Sequence, residues 1–289
     1  MLALHRELLA DEVRTNAFRD AIRAAVKPGD VVVDLGSGSG ILAFFACEAG
    51  ARKVYAIEQQ HTADAAALLA KHLGLADRIE VIHERSMNVE LPQRGDVLVT
   101  ETIGSFGLEE RIISNIIDAR ARLLKPNATI IPNRLTLSIV PVELPALHQQ
   151  HVGWWSEKRF GFDLSPMRVF ASNVLYTAEI ETSAHLAIPA DIIDVDFTSL
   201  DVNGRATFEA TGDGTMHGFA GWFRMLNLTN AIPRATCWNQ VFLPLDEPIV
   251  ITRGDLIDVD LESHDGTAWR WRGKSFDQTT WLGRPPCIR

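Results

Sequence analysis

Residues 31–58 read VVVDLGSGSGILAFFACEAGARKVYAIE, and this stretch decides the fold. The β-branched apolar run from Val31 to Gly36 ends in glycine, as a strand buried in a parallel sheet does. ILAFFACEAG then has the composition of a helix that ends at Gly50. A second strand, KVYAIE, runs from Lys53 to Glu58. A strand, a glycine-rich turn, a helix and a second strand predict the first unit of a doubly wound α/β sheet.

The alternation of strand and helix patterns continues on both sides of this unit, over residues 1–132. Helical patterns are LHRELLADEVRTNAFRDAIRAAV, which stops at Pro28-Gly29-Asp30, TADAAALLAKHLGL, and the segment from Glu110 to Leu124. Strand patterns are IEVIHE, DVLVTE and ATIIP. We therefore predict one Rossmann-like domain over residues 1–132.

The sequence pattern changes after Pro132. Runs such as LTLSIVPVEL, IIDVDFTSLDV, ATFEATG, HGFAGWFRMLNL, NQVFLPL, PIVITRG and LIDVDLES are short, β-rich and separated by turn residues. They predict a second domain over residues 133–289, an antiparallel sandwich or barrel. An aromatic, irregular stretch at about residues 152–175 interrupts it and is interpreted as an inserted arm.

Composition restricts the possible partners and the compartment. The chain has 289 residues, of which 46% are hydrophobic, and a net charge of −9. This charge argues against nucleic acid as the main partner and fits a cationic substrate better. No apolar run reaches the roughly 18 residues that a membrane span needs, and charges interrupt the N-terminus too early for a secretory signal. Three distant cysteines form neither a disulfide framework nor a metal motif, so we expect a cytoplasmic protein without a metal site.

The glycine-rich turn predicts a nucleotide-like cofactor. Gly36, Gly38 and Gly40 let the backbone approach a ligand closely, and Glu58, which ends the second strand, suits the two hydroxyls of a ribose. A nicotinamide dinucleotide is one alternative, but its pyrophosphate prefers GxGxxG over the GxGxG present here. Asp34 would repel a pyrophosphate, whereas it can accept an amino-acid ammonium. S-adenosylmethionine has both groups, a ribose for Glu58 and an amino-acid ammonium for Asp34.

Several longer motifs resemble the protein arginine N-methyltransferases in order and spacing. They are DEVRT, VVDLGSGSGILAFFACEAGARKVYAIE, VTETIGSFGLEE, LLKPNATIIPNRLTL, WWSEKRFGFDLS and TCWNQVFLPL. The resemblance covers essentially the whole chain, more loosely in the second half. It implies a Rossmann-like methyltransferase domain followed by a β-barrel, an arm that makes a homodimer, and S-adenosylmethionine as cofactor.

The resemblance also implies roles for individual residues at the cofactor. Arg14 would bind the cofactor carboxylate, for which a guanidinium is well suited. Glu58 would bind the ribose. Ser86 and Met87 occupy the stretch that meets the adenine, where the family often has an acidic residue, and Met87 is at best a weak acceptor.

Two glutamates are predicted to bind the methyl acceptor. Glu101 follows the fourth strand, at the carboxyl edge where α/β proteins bind ligands, and Glu110 lies in the same segment, TETIGSFGLEER. A guanidinium is planar, permanently charged and forked, so two carboxylates can accept its N–H groups. By the resemblance, Glu101 and Glu110 are the catalytic pair of a substrate loop, with Glu101 also next to the cofactor. Glu109 is the alternative second member.

The chain departs from the family pattern in three places. Thr102-Ile103-Gly104-Ser105 replaces Trp-Met-Gly-Tyr after the first glutamate, which removes an aromatic wall. The Thr-His-Trp loop of the family is Thr236-Cys237-Trp238 here, so Cys237 stands where a histidine would pair with Asp11. The tyrosine-bearing segment that covers the cofactor in the family is not recognisable.

These observations favour an N-methyltransferase that acts on a guanidino group of a protein arginine or of a small guanidine. Two alternatives stay open. The altered loop and Cys237 are compatible with a small-molecule methyltransferase that uses another acceptor. They are also compatible with a cofactor-binding regulatory protein that has lost catalysis.

Overall fold

The computed structural model describes residues 2–197, 202–232, 234–263 and 268–281. Its first part contains a five-stranded parallel sheet in the order β3-β2-β1-β4-β5. The strands are β1 (Val31–Leu35), β2 (Lys53–Glu58), β3 (Ile79–His83), β4 (Gly95–Thr100) and β5 (Leu124–Ile131). All five residues of β1 are buried, as a central strand covered on both faces requires. The order reverses between β1 and β4, and such a switch point is where open α/β sheets bind ligands.

The helices of this part differ from the sequence prediction at two places. They are α1 (Leu2–Ala10), α2 (Glu12–Ala25), α3 (Ile41–Glu48), α4 (Thr62–His72) and α5 (Ile112–Arg122). The single N-terminal helix that we predict is wrong, because Asp11 separates α1 from α2 and its side chain accepts the N–H of Arg14 at 2.9 Å. The predicted start of the last helix at Glu110 is also wrong. Arg111 has a left-handed φ of 65°, so α5 begins only at Ile112.

The second part consists of two antiparallel sheets. A six-stranded sheet has the order β7-β12-β10-β6-β8, with β11 paired to β10, and a four-stranded sheet has the order β15-β14-β13-β9. The strands are β6 (Arg134–Val142), β7 (Tyr176–Ala178), β8 (Ala190–Asp196), β9 (Gly204–Glu209), β10 (Gly214–Met225), β11 (Leu228–Thr229), β12 (Gln240–Ile251), β13 (Leu256–Ser263), β14 (Ala268–Gly273) and β15 (Phe276–Trp281). Contacts of β8 with β9 and of β12 with β15 join the sheets into a barrel. The sequence runs NQVFLPL and PIVITRG form one strand, β12.

The arm is less irregular than its sequence suggests. It follows α6 (Pro145–His151) and contains 3-10 turns at Gly153–Ser156 and Ser165–Met167 and the short helix α7 (Arg168–Ala171). Phe160, at its tip, is 96% exposed, and Phe162 is 70% exposed.

One continuous set of buried apolar side chains runs through both parts of the chain. Pro132 and Asn133 link β5 of the parallel sheet to β6 of the barrel. The division of the chain at residue 132 into two domains stays a prediction, since the two parts share this core. In the described part of the chain, the helices are all too short or too polar to cross a membrane.

Candidate active site

The glycine loop at the end of β1 has the backbone that its sequence predicts. Gly36, Gly38 and Gly40 all adopt left-handed φ angles, of 76°, 53° and 86°. A Cβ on Gly36 would lie 2.7 Å from Cγ2 of Thr102, and one on Gly38 would lie 2.6 Å from Cε1 of His5. These positions therefore favour glycine for two reasons: their left-handed backbone conformation and, at Gly36 and Gly38, the close approach of other side chains.

Glu58 holds this loop from the neighbouring strand. Its carboxylate accepts the N–H of Gly38 at 2.8 Å with one oxygen and the N–H of Gln60 at 2.7 Å with the other. The residue is buried, yet it lines the largest cavity of this region. Each carboxylate oxygen has a second lone pair, so Glu58 can still accept hydrogen bonds from two hydroxyls.

A single cavity of about 760 Å³ connects the glycine loop with the segment after β4. Its volume is typical of a small-molecule site. The predicted site residues that line it are Gly36, Gly38, Glu58, Ser86, Met87, Glu101, Glu110, Cys237 and Trp238. Arg14 lines a small adjoining chamber together with Glu101, whereas Asp34 and Gly40 lie outside both.

Arg14 and Glu101 mark the junction of the cavity and the chamber. Nη2 of Arg14 lies 3.4 Å from Oε2 of Glu101, and both side chains are largely buried. Burial raises the pKa of Glu101 to about 8, although the positive charge of Arg14 acts in the opposite direction. The guanidinium also lies 5.6 Å from the centroid of the Trp238 ring. A cation that entered the cavity would favour the ionised form of Glu101.

Asp34 lies below the glycine loop and not on the cavity wall. It is fully buried, and neither carboxylate oxygen has a hydrogen-bond partner within the described residues. Burial raises its pKa to about 7. Its contact with a cofactor ammonium therefore stays a prediction.

Helix α1 covers the glycine loop, which the sequence pattern did not reveal. Leu4, His5 and Leu8 line the cavity, and the imidazole of His5 lies directly over Gly38. Helix α1 has no tyrosine, but it covers one side of the cavity, as the tyrosine-bearing segment of the family is expected to do. His5 is the main site residue that sequence reasoning missed, because a lone histidine on a short helix carries no motif.

The loop after β4, residues 101–111, is called the substrate loop here and is anchored in the barrel. Phe106 is fully buried and its ring lies 4.9 Å from that of Trp269. Trp238 donates its indole N–H to the carbonyl of Ile103 at 3.1 Å. These contacts fix the loop from a distant part of the chain.

Asn230 fastens the same loop from inside the barrel. This fully buried side chain accepts the N–H of Phe223 at 2.8 Å and donates to the carbonyls of Ser105 at 2.7 Å and Asn239 at 2.6 Å. Sequence reasoning missed Asn230 because asparagine is common in turns, and nothing local marks a buried one.

The two candidates for the second acidic residue have different environments. Glu109 folds back into the substrate loop, where Oε1 accepts the N–H of Phe106 at 2.6 Å. Its Oε2 is buried without a hydrogen-bond partner among the described residues, and burial raises its pKa to about 7. A Cβ on Gly104 would lie 2.6 Å from this carboxyl group. Both residues line the cavity, but the side chain of Glu110 is exposed there, so Glu110 is the freer of the two to bind a ligand.

Asp11 links the N-terminal helices to the loop that contains Cys237. One carboxylate oxygen caps α2, and the other accepts the N–H of Cys237 at 2.6 Å. Burial and a hydrogen bond to Asp11 raise the pKa of the Cys237 thiol to about 12. The thiol therefore stays protonated near neutral pH and cannot take the place of a basic histidine.

The residues of the cavity fit S-adenosylmethionine. The glycine loop presents Gly36 and Gly38 to the cavity without side chains, Glu58 keeps free lone pairs for hydroxyls, and Nε of Arg14 is buried without a hydrogen-bond partner in the described ranges. Arg14 in the side chamber can bind a carboxylate, and Glu58 can bind a ribose.

Comparison with known proteins identifies relatives over most of the chain. The model of the family described as ribosomal protein L11 methyltransferase (PrmA) matches residues 15–133. Protein arginine N-methyltransferase 6 of Danio rerio is 31% identical over 284 residues, which cover 90% of this chain and 81% of the relative. The Xenopus laevis protein of the same name is 32% identical over 289 residues, which cover 90% of this chain and 83% of the relative.

Solved structures share the whole fold. The Trypanosoma brucei PRMT1 enzyme-prozyme heterotetrameric complex with AdoHcy matches with a TM-score of 0.82 and 22% identity, over 97% of this chain and 98% of that one. Arabidopsis thaliana protein arginine methyltransferase 10 matches with a TM-score of 0.77 and 23% identity, over 98% of both chains.

Proposed function

The chain belongs to the protein arginine N-methyltransferase family, and we propose that it transfers a methyl group from S-adenosylmethionine to a guanidino nitrogen of arginine. The observation that carries the proposal is the cavity that joins Glu58 and the glycine loop at one end to Glu101 and Glu110 at the other. We call these the donor end and the acceptor end. S-adenosylmethionine, when bound, supplies a methyl group on a positively charged sulfonium.

The residues of the acceptor end suit a guanidinium. Glu101 and Glu110 lie on the wall of one cavity and repel each other, which contributes to the raised pKa of Glu101. A guanidinium between them would relieve this repulsion and would be held by hydrogen bonds that leave one nitrogen oriented for attack. As that nitrogen gains the methyl group it must lose a proton, and a nearby carboxylate of raised pKa can accept it.

A direct test is incubation of the chain with labelled S-adenosylmethionine and either an arginine-rich peptide or free arginine. We expect label in the arginine peptide and none in a control peptide with lysine at every arginine position. Binding of the cofactor is measured in parallel by calorimetry. Label in neither guanidine, despite confirmed cofactor binding, contradicts the proposed acceptor.

The altered substrate loop supports a small guanidine as a second candidate acceptor. Thr102, Ile103 and Ser105 stand where an aromatic wall is expected, and Thr102 and Ile103 lie on the cavity surface. Label in free arginine but not in the peptide is the outcome that favours it. Cofactor binding without turnover on any acceptor would instead favour the regulatory alternative.

We also propose that the chain works as a homodimer through its arm. The support is the exposure of Phe160, Phe162, Trp154 and Met167 on one short segment, because large exposed apolar groups mark interaction sites. Light scattering after gel filtration should give twice the mass of the chain. The double substitution Phe160→Ser with Phe162→Ser should give the mass of one chain, and an unchanged mass would contradict the role of the arm.

A further inference from the structure

Three metal-ligand side chains converge on the surface beside the donor end. Nδ1 of His83 lies 3.7 Å from one oxygen of Asp64, and Nδ1 of His61 lies 4.0 Å from the other. The ligand atoms of the three side chains all lie within 4.8 Å of one another. We call these residues the His–Asp–His cluster.

Ordinary structural roles account for only part of this arrangement. Asp64 lies in the first turn of α4, where a negative charge is favourable. His61 occupies the N-cap of α4, yet its side chain makes no capping hydrogen bond. His83 ends β3 on a different element, and its ring meets that of His61 edge to face with centroids 5.5 Å apart. The approach of two imidazoles to one carboxylate is therefore not explained by the helix.

Two imidazoles and one carboxylate form a donor set that suits a transition metal. Zn²⁺ binds such nitrogens and oxygens at about 2.0–2.2 Å, so that ligand atoms in a tetrahedral site lie about 3.4 Å apart. The two histidine–aspartate separations exceed this by about 0.6 Å or less, and all three ligand atoms lie within 4.8 Å of one another. The three side chains are exposed, so rotation of their torsions can close the gap. Mg²⁺ and Ca²⁺ prefer oxygen ligands and match less well.

The cluster adjoins the cofactor cavity. His83 is the register partner of Glu58 in the parallel sheet, and Glu84, which follows His83, lines the cavity. An ion bound to the cluster would tie the beginning of α4 to the end of β3, next to the side chain that we assign to the ribose.

We propose that His61, Asp64 and His83 form a binding site for one divalent transition-metal ion, with Zn²⁺ as the best match, in place of the expectation from the cysteines that the chain has no metal site. Water would complete the coordination, because the cluster is open to solvent. The site takes no part in methyl transfer and does not depend on the proposed acceptor.

The test is calorimetric titration of the full chain with zinc chloride at pH 7.5, in the presence of saturating S-adenosylhomocysteine to fill the cavity. We expect one equivalent to bind the unaltered chain. Asp64→Asn and His83→Gln should each weaken binding by at least the roughly 10-fold that loss of an outer-shell partner causes, because each removes a direct ligand. His72→Gln is the matched control, since His72 is an exposed histidine of α4 outside the cluster and should leave the affinity unchanged.

Melting of the same proteins gives an independent measurement. Zn²⁺ should raise the Tm of the unaltered chain and of His72→Gln but not of the two cluster variants, since a ligand of the folded state stabilises it. Circular dichroism and the affinity for S-adenosylhomocysteine without zinc check that the variants fold. No binding to the unaltered chain, or equal binding by all four folded proteins, overturns the proposal.

Discussion

The donor end and the acceptor end of the cavity are built in different ways. The donor end is the glycine loop together with Glu58 of the neighbouring strand, whose carboxylate accepts the backbone N–H groups of Gly38 and Gln60. The acceptor end is the substrate loop, which keeps its shape through contacts with Asn230, Trp238 and Trp269, more than a hundred residues away. The donor end therefore depends on local backbone geometry, and the acceptor end depends on the barrel.

This difference predicts that changes at the two ends have separable effects. The largest is expected for Glu101→Gln, which keeps the size of the side chain but removes the charge beside the acceptor. Methyl transfer should fall by about 10²–10³-fold, as it does when a group that stabilises transition-state charge is removed. The affinity for S-adenosylhomocysteine should change by less than about 3-fold, because the glutamine keeps the size of the side chain beside Arg14 and the glycine loop and Glu58 are unaltered.

The matched control for this change is Glu90→Gln, at an exposed glutamate outside the cavity. It should leave both quantities unchanged. If Glu101→Gln keeps activity within about 3-fold of the unaltered chain, the acceptor end is assigned wrongly.

Glu58→Gln should have the opposite profile. The NH₂ group that replaces one carboxylate oxygen cannot accept a hydrogen bond from a ribose hydroxyl, and the loss of a hydrogen bond to a charged group costs about 1.5–3 kcal/mol. Calorimetry should show roughly 10- to 100-fold weaker binding of S-adenosylhomocysteine. In protein saturated with that ligand, binding of an arginine peptide should be unaffected. Unchanged affinity for S-adenosylhomocysteine would contradict the role given to Glu58.

Asn230→Ala tests whether the barrel positions the substrate loop. The change leaves one N–H and two carbonyls without their partner, which should lower the free energy of unfolding by about 1–3 kcal/mol. In addition to this loss of stability, the KM for the arginine-rich peptide should rise while the Kd of S-adenosylhomocysteine stays constant. Asn127→Ala, at an exposed position of β5, is the control. Equal changes in KM and in the Kd of S-adenosylhomocysteine would indicate general loosening of the fold instead.

Glu109→Gln should have the smallest effect, visible as a change in pH dependence. Burial raises the pKa of Glu109 from 4.5 to about 7, so between these values the folded chain holds a proton that the unfolded chain releases. The stability that this group contributes is complete below about pH 4.5 and is lost as the pH rises through 7. The glutamine does not titrate, and its amide oxygen can still accept the N–H of Phe106.

The Tm of Glu109→Gln minus that of the unaltered chain should therefore become more positive between pH 5 and pH 8.5. Glu90→Gln should show no such trend. A difference in Tm that stays constant or falls would mean that the pKa of Glu109 is not raised in the folded chain.

The sequence predicts the parallel part of the fold better than the site. Strands β1 and β2 and helix α3 follow from local signals, namely β-branched runs and glycines that end them. The fold class is confirmed by the sheet order, and family membership by the relatives. The roles of the individual site residues stay predictions, because the structure shows where they lie and not what they bind.

What the sequence did not reveal depends on contacts between distant residues. The break at Asp11 had a local signal, an N-cap residue, and could have been predicted. His5, Asn230 and the inward fold of Glu109 could not, since each depends on a neighbour that only the folded chain provides. The acceptor end is therefore where reasoning from the sequence is weakest.

The assignment of the acceptor end is tested most directly by measuring binding there while the donor end is filled. An arginine-rich peptide and its lysine counterpart are titrated by calorimetry into the chain saturated with S-adenosylhomocysteine, and into Glu110→Gln treated in the same way. We expect the arginine peptide to bind the unaltered chain more tightly than the lysine peptide does, and Glu110→Gln to weaken this binding by about 10-fold or more. Equal affinities for both peptides, or arginine-peptide binding that Glu110→Gln leaves unchanged, would contradict this assignment.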